Sequence, residues 1–166
     1  MFNADIKTKY SILSSVNRLK PISARTAVEP INKVVQKKIL IVDDETIFLM
    51  FFTETLKRIY SEKGFTFLSA TNLDEAKQHL NQSNGQIRYI LTDICFPKQA
   101  GASSDEPSGI ELIKYAKSIN KDVKIIAASC DPFVLPDAKK AGADAVLTKA
   151  TETLKSLQKL AEEVFR

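Results

Sequence analysis

Five short apolar runs alternate with amphipathic stretches along this chain, and that alternation limits the fold more than any other feature. The runs are Lys38-Ile39-Leu40-Ile41-Val42, Phe65-Thr66-Phe67-Leu68, Tyr89-Ile90-Leu91, Val123-Lys124-Ile125-Ile126-Ala127 and Ala145-Val146-Leu147. They are rich in β-branched residues and have few charges, as strands buried on both faces are. The spacing predicts a first helix over about Thr46 to Tyr60, with Phe48, Phe52, Thr55, Leu56 and Ile59 on its buried face. Ile47 and Met50 fall on its charged face. Asn72 is placed to cap a second helix holding Ala76 and Leu80. A third carries Ile110, Ile113 and Ile119 inward. The fourth is short, about Asp137 to Ala141, or begins with an irregular turn, because Pro136 cannot sit inside a helix. The last, from Thr151 to Phe165, buries Leu154, Leu157, Leu160 and Ala161. Strands and helices in strict turn predict an α/β fold, (βα) five times over. The expected form is a doubly wound five-stranded parallel sheet with helices on both faces.

Polar chemistry stands where the runs stop. Asp43-Asp44-Glu45 follow the first run, Asp93 ends the stretch Arg88 to Pro97, Ser129 ends the fourth and Lys149 follows the fifth. In an open parallel sheet these ends share one edge, where such folds bind ligands. Three converging carboxylates raise one another's pKa unless a cation neutralises them. Hard oxygen donors suit Mg²⁺. A metal, a lysine and a hydroxyl around one carboxylate are what an oxygen nucleophile attacking phosphorus requires. Each residue alone has a plainer reading: a helix cap for Asp43-Asp44, a turn for Ser129, a surface charge for Lys149. Their joint occurrence in strand order favours the chemical one.

Composition narrows the rest. His79 is the single histidine among 166 residues, which excludes most histidine-based zinc sites and any Ser-His-Asp triad. Cys95 and Cys130 have no metal-like spacing and are expected as cytosolic thiols, near one another above adjacent strands. No apolar run has the length of a membrane span, and no secretory leader pattern follows Met1, so a cytoplasmic location is expected. Residues 1–37 hold seven basic against two acidic residues, a surplus larger than the whole chain's +4. The basic character therefore belongs to the first stretch. It lacks a dense basic run, which argues against nucleic acid as the partner. Residues 1–36 read as a basic, partly disordered extension, with a short helix over 4–20 from Ile6, Tyr10, Leu13 and Val16. The domain runs over 37–166.

Taken together, Ile39-Leu40-Ile41-Val42-Asp43-Asp44-Glu45, Thr92-Asp93 with Pro97 four residues on, Gly109-Ile110-Glu111-Leu112, Ala127-Ala128-Ser129, and Ala141-Gly142-Ala143-Asp144 running to Thr148-Lys149 resemble the receiver domain of two-component response regulators. The resemblance covers about 37–166. It implies a flavodoxin-like fold, with Asp93 as phosphoacceptor and Mg²⁺ held by Asp43, Asp44, Asp93 and the Cys95 backbone carbonyl. Ser129 would be the switch hydroxyl and Lys149 the phosphate-binding lysine. The donor would be a histidine kinase or a histidine phosphotransfer protein. The protein would not be an enzyme beyond hydrolysing its own aspartyl phosphate. Three departures stand out. Val146 replaces the aromatic residue that the family has three positions before the lysine. Ala150 replaces the proline after it. The Lys98–Ser108 loop is about eight residues longer than the family pattern. The chain ends with its fifth helix, so a stand-alone phosphorelay receiver is expected, with a possible downstream protein partner. The alternatives are a non-cycling receiver-like binding module and, less favoured, a Mg²⁺-dependent phosphatase with an aspartyl nucleophile.

Overall fold

The computed structural model describes residues 36–103, 106–150 and 154–166, so the expected extension and its 4–20 helix lie outside the described residues. The elements run β1 (Lys38–Val42), α1 (Thr46–Tyr60), β2 (Thr66–Ala70), α2 (Leu73–Gln82), β3 (Ile87–Asp93), α3 (Ser108–Ile119), β4 (Lys124–Ser129), α4 (Leu135–Ala141), β5 (Ala145–Thr148) and α5 (Leu154–Val164). All pairings are parallel and the strand order is β2-β1-β3-β4-β5. The chain order reverses between β1 and β3, which opens a crevice at the carboxyl ends of those two strands.

Side chains alternate across the sheet with the period of two that a strand dictates. Leu40, Val42, Ile90, Ile125 and Ala127 point to one face and pack with Ala76, Leu112, Ile113, Ala116 and Ala138 of α2, α3 and α4. Ile39, Ile41, Leu91, Ile126 and Leu147 point to the other and pack with Phe52, Leu56, Leu157 and Ala161 of α1 and α5. Burying each of the larger side chains contributes about 2 kcal/mol. The Tyr60 hydroxyl ties α1 to α5 by donating to the Ala161 carbonyl at 2.9 Å.

Several boundaries differ from expectation. β2 begins at Thr66 and takes in Ser69 and Ala70, because the parallel register with Ile41 and Val42 extends it beyond its apolar run. Ile119 is 47% exposed rather than inward. It is the last residue of α3 and lies at the flank of the stripe formed by Leu112, Ile113 and Ala116. Asn72 caps α2 as expected, its side-chain oxygen accepting from the Glu75 amide at 2.9 Å. α4 begins at Leu135 rather than Asp137 and takes Pro136 in its first turn, where a missing N–H leaves no helical bond unmade. A 3-10 turn, Pro132–Val134, precedes it.

Gly109 fixes how close α3 comes to β3. Its amide donates to the Ile94 carbonyl at 2.9 Å. A Cβ at this position would collide with the Asp93 carbonyl oxygen and stand 2.6 Å from the Ile94 Cα. Only a residue without a side chain lets the helix start there.

Candidate functional site

Register builds the site. Val42 pairs with Thr92, so the next residues, Asp43 and Asp93, stand level on neighbouring strands. Asp93 pairs with Ala128, and Ser129 pairs with Thr148, the residue before Lys149. The four strand ends predicted to carry chemistry therefore meet at one edge. Asp44, Glu45, Asp93, Cys95, Ser129, Cys130 and Asp131 line an open cleft of about 370 Å³ there. Asp43 and Lys149 form its buried floor. Neither Cys95 nor Cys130 is engaged in a disulfide.

Lys149 is the centre of the floor. Its Nζ lies 2.7 Å from Asp43 Oδ2 and 2.8 Å from Asp93 Oδ2, and its side chain is 1% exposed. Burial alone would pull this lysine down. Hydrogen bonds and charge from the two carboxylates outweigh burial and hold it above its ordinary value. The carboxylates move the other way. Burial pushes Asp43 up to about 6, against the pull of Lys149, and the Asp93 charge adds to the rise. Asp93 is also raised by burial, less the opposing effects of Lys149 and the amides of Ile94 and Cys95. The Ile94 amide donates to Asp93 Oδ1 at 2.7 Å. One lysine thus serves two carboxylates that burial has made costly to ionise.

Oxygens of Asp43, Asp44 and Asp93 lie within 4.8 Å of one another. Asp43 Oδ2 is close to Lys149 yet accepts no well-aligned hydrogen bond. An all-carboxylate donor set of this spacing fits a hard divalent cation. The Ser129 hydroxyl oxygen accepts from the Asp131 amide at 3.1 Å, which holds the side chain at the mouth of the β4–α4 turn.

Sequence reasoning placed Phe48 on the core face of α1. The structure leaves it half-buried and sets its ring over the Lys149 ammonium, 4.4 Å from centroid to Nζ. Its place in the first turn of the helix that follows the acidic pair is the available clue. Val146 is half-buried against the α2–α4 side of the core and supplies no ring at its position. The extended loop after β3 is anchored in two ways. The carbonyls of Pro97 and Lys98 accept from the first amides of α2 at 3.0 Å, and Lys98 pairs with Glu106 at 2.7 Å.

The sequence profile of the response regulator receiver domain matches residues 39–161. No curated protein matches the chain. Among solved structures, a response regulator from Burkholderia pseudomallei with a phosphorylated aspartic acid, calcium ion and citrate shares 24% identity, with a TM-score of 0.54. That match covers 76% of this chain and 65% of that one, so the chain spans less than two thirds of that protein's length. The phosphorylated cyanobacterial phytochrome response regulator RcpA is 17% identical over 78% of this chain and 94% of that one, with a TM-score of 0.60. The beryllofluoride-activated DrrB receiver domain is 19% identical over 77% of this chain and 96% of that one, with a TM-score of 0.58. These likenesses are of fold.

Proposed function

The chain belongs to the response regulator receiver domain family, and from that premise we propose that Asp93 takes a phosphoryl group from a phosphohistidine of a histidine kinase or phosphotransfer protein. The observation that carries this is Lys149 held between Asp43 and Asp93 beneath an open cleft. In the transfer, an Asp93 carboxylate oxygen forms a bond to phosphorus as the phosphorus–nitrogen bond to the histidine ring breaks. The ring nitrogen keeps the electron pair and takes a proton from solvent. The Lys149 ammonium pairs with the phosphoryl oxygens, and the Ser129 hydroxyl donates to one of them. Water later attacks phosphorus, releases inorganic phosphate and restores the carboxylate, so catalysis is limited to loss of the protein's own phosphoryl group.

Asp43, Asp44 and Asp93, with the Cys95 carbonyl, would hold Mg²⁺, which would neutralise charge on the phosphoryl oxygens. The relative solved with a phosphorylated aspartic acid and a calcium ion supports both assignments. The test is to incubate the chain with acetyl phosphate and read its intact mass. A gain of about 80 Da with Mg²⁺ and none with chelator is expected. Equal gain in both would remove the metal from the reading.

The donor would dock on α1. Ile47 and Met50 are 72% and 63% exposed beside the cleft, and Phe51 is partly exposed next to them. Exposed apolar side chains rimmed by charge mark interaction surfaces. Ile47→Glu combined with Met50→Glu should slow transfer from a phosphorylated histidine donor by about tenfold and leave acetyl phosphate labelling unchanged. Equal loss with both donors would place the fault in the site.

No helix among the described residues is long and apolar enough to cross a membrane.

A further inference from the structure

We propose that Phe48 is a positioning residue for Lys149, its ring face fixing the ammonium in the geometry that phosphoryl transfer uses. The inference rests on the reading of Asp93 as acceptor. A lysine ammonium has three N–H donors and a flexible stem. Here two carboxylate oxygens, at 2.7 and 2.8 Å, take part of that capacity. The Phe48 ring, 4.4 Å from Nζ, covers another side of the ammonium. The ring itself is held. It stacks on Phe52 with centroids 6.1 Å apart and planes 27° from parallel, and Phe52 is buried in the core. The α1 backbone, starting at Thr46 directly after the acidic residues, therefore brings acid and ring to the same lysine.

The consequence falls on the transfer step. As the oxygen–phosphorus bond forms at Asp93 and the donor's bond to phosphorus breaks, charge on the phosphoryl oxygens needs a fixed cation. Lys149 must turn from carboxylate towards phosphoryl oxygen without leaving the site. A ring face attracts the ammonium through its quadrupole and excludes water from that side. An aliphatic side chain of similar size excludes the water but lacks the attraction. Val146 packs on the α2–α4 side of the sheet, whereas the ring over Lys149 comes from α1 on the other side.

The experiment uses the full chain with acetyl phosphate and Mg²⁺, varying donor concentration, in Phe48→Leu, Phe48→Met and Phe48→Tyr. Loss of a desolvated cation–ring contact should lower the saturating rate constant of the Leu and Met variants by about five- to thirtyfold. Half-saturating donor concentration should change by less than about twofold, and Tyr should restore the rate to within about twofold of Phe. In the unaltered protein, the Lys149 ε-methylene protons should be shifted upfield by the ring current, and Phe48→Tyr should keep the shift. Wild-type rates in Leu and Met, equal losses in all three variants, or unshifted Lys149 protons in the unaltered protein would each overturn the proposal. The last of these needs no variant to fold. Absence of labelling in the unaltered chain, or labelling that survives Asp93→Asn, would instead overturn the reading of Asp93.

Discussion

The sheet carries a cluster of aspartate and lysine at each end, and the two are built on opposite ratios. At the carboxyl edge one lysine, Lys149, serves two buried carboxylates, Asp43 and Asp93. At the amino edge one carboxylate, Asp144, receives Lys117, Lys124 and the Ile125 amide, each at 2.9 Å. Burial acts on all three aspartates in the same direction. In Asp144 the hydrogen bonds from Lys124, Lys117 and Ile125 win, and its carboxyl lies below the usual range. In Asp43 and Asp93 burial wins and both are raised. A cluster with more cation than acid secures β5 to β4 and α3. A cluster with more acid than cation costs stability in the resting protein, a cost that a bound cation would relieve.

This contrast can be broken most forcefully at its upper end. Lys149→Ala leaves two buried carboxylates without a countercharge and should cost about 3 kcal/mol at neutral pH. The carboxylates carry raised pKa values, so their cost is felt above those values and relieved as pH falls. Removing Lys149 removes what holds the Asp43 carboxyl down, so in the variant it takes its proton above the value of about 6 that it has in the unaltered chain. The deficit measured by urea unfolding should therefore shrink as pH falls towards about 6. A pH-independent deficit would mean that Lys149 acts through packing alone. Asp144→Ala should cost about 2 kcal/mol through its lost charge-assisted hydrogen bonds. Its deficit is also lost on acidification, but at a lower pH, because the Asp144 carboxyl lies below the usual range. A depressed carboxylate contributes stability above its unfolded value, near 4, and loses it as pH falls through the lower folded value. The difference between Asp144→Ala and the unaltered chain should therefore vanish in acid. If both variants lost their deficits in the same pH window, the two clusters would not be electrostatic opposites. Smallest of the three, Asp93→Asn should raise stability by about 1 kcal/mol, because it removes one of two like charges beside Lys149. A fall in melting temperature would contradict the claim that the upper cluster is acid-rich at a cost.

The upper cluster was legible in the sequence because its members end apolar runs, and parallel pairing turns chain position directly into spatial position. Asp43, Asp93, Ser129 and Lys149 each needed only their own strand to be placed. The lower cluster was not legible in that way. Lys117 sits in a helix and Lys124 on the first residue of a strand, and nothing local marks them as partners of Asp144. Phe48 was hidden for a related reason. Helical periodicity assigns it to a core face, but the face turns into the site at the first turn of α1, where Lys149 arrives from β5. Ile119 shows the same limit from the other side, since periodicity does not report where a helix outruns its groove. The fold class, by contrast, follows from strand and helix alternation and from the connection rules of parallel sheets.

On this reading the acid-rich edge exists to carry a phosphoryl group on Asp93. Intact-mass measurement after incubation with acetyl phosphate and Mg²⁺ tests it most directly, comparing the unaltered chain with Asp93→Asn and Asp144→Ala. A gain of about 80 Da is expected in the unaltered chain and in Asp144→Ala, and none in Asp93→Asn. A gain that persists in Asp93→Asn, or none in a folded unaltered chain, would contradict it.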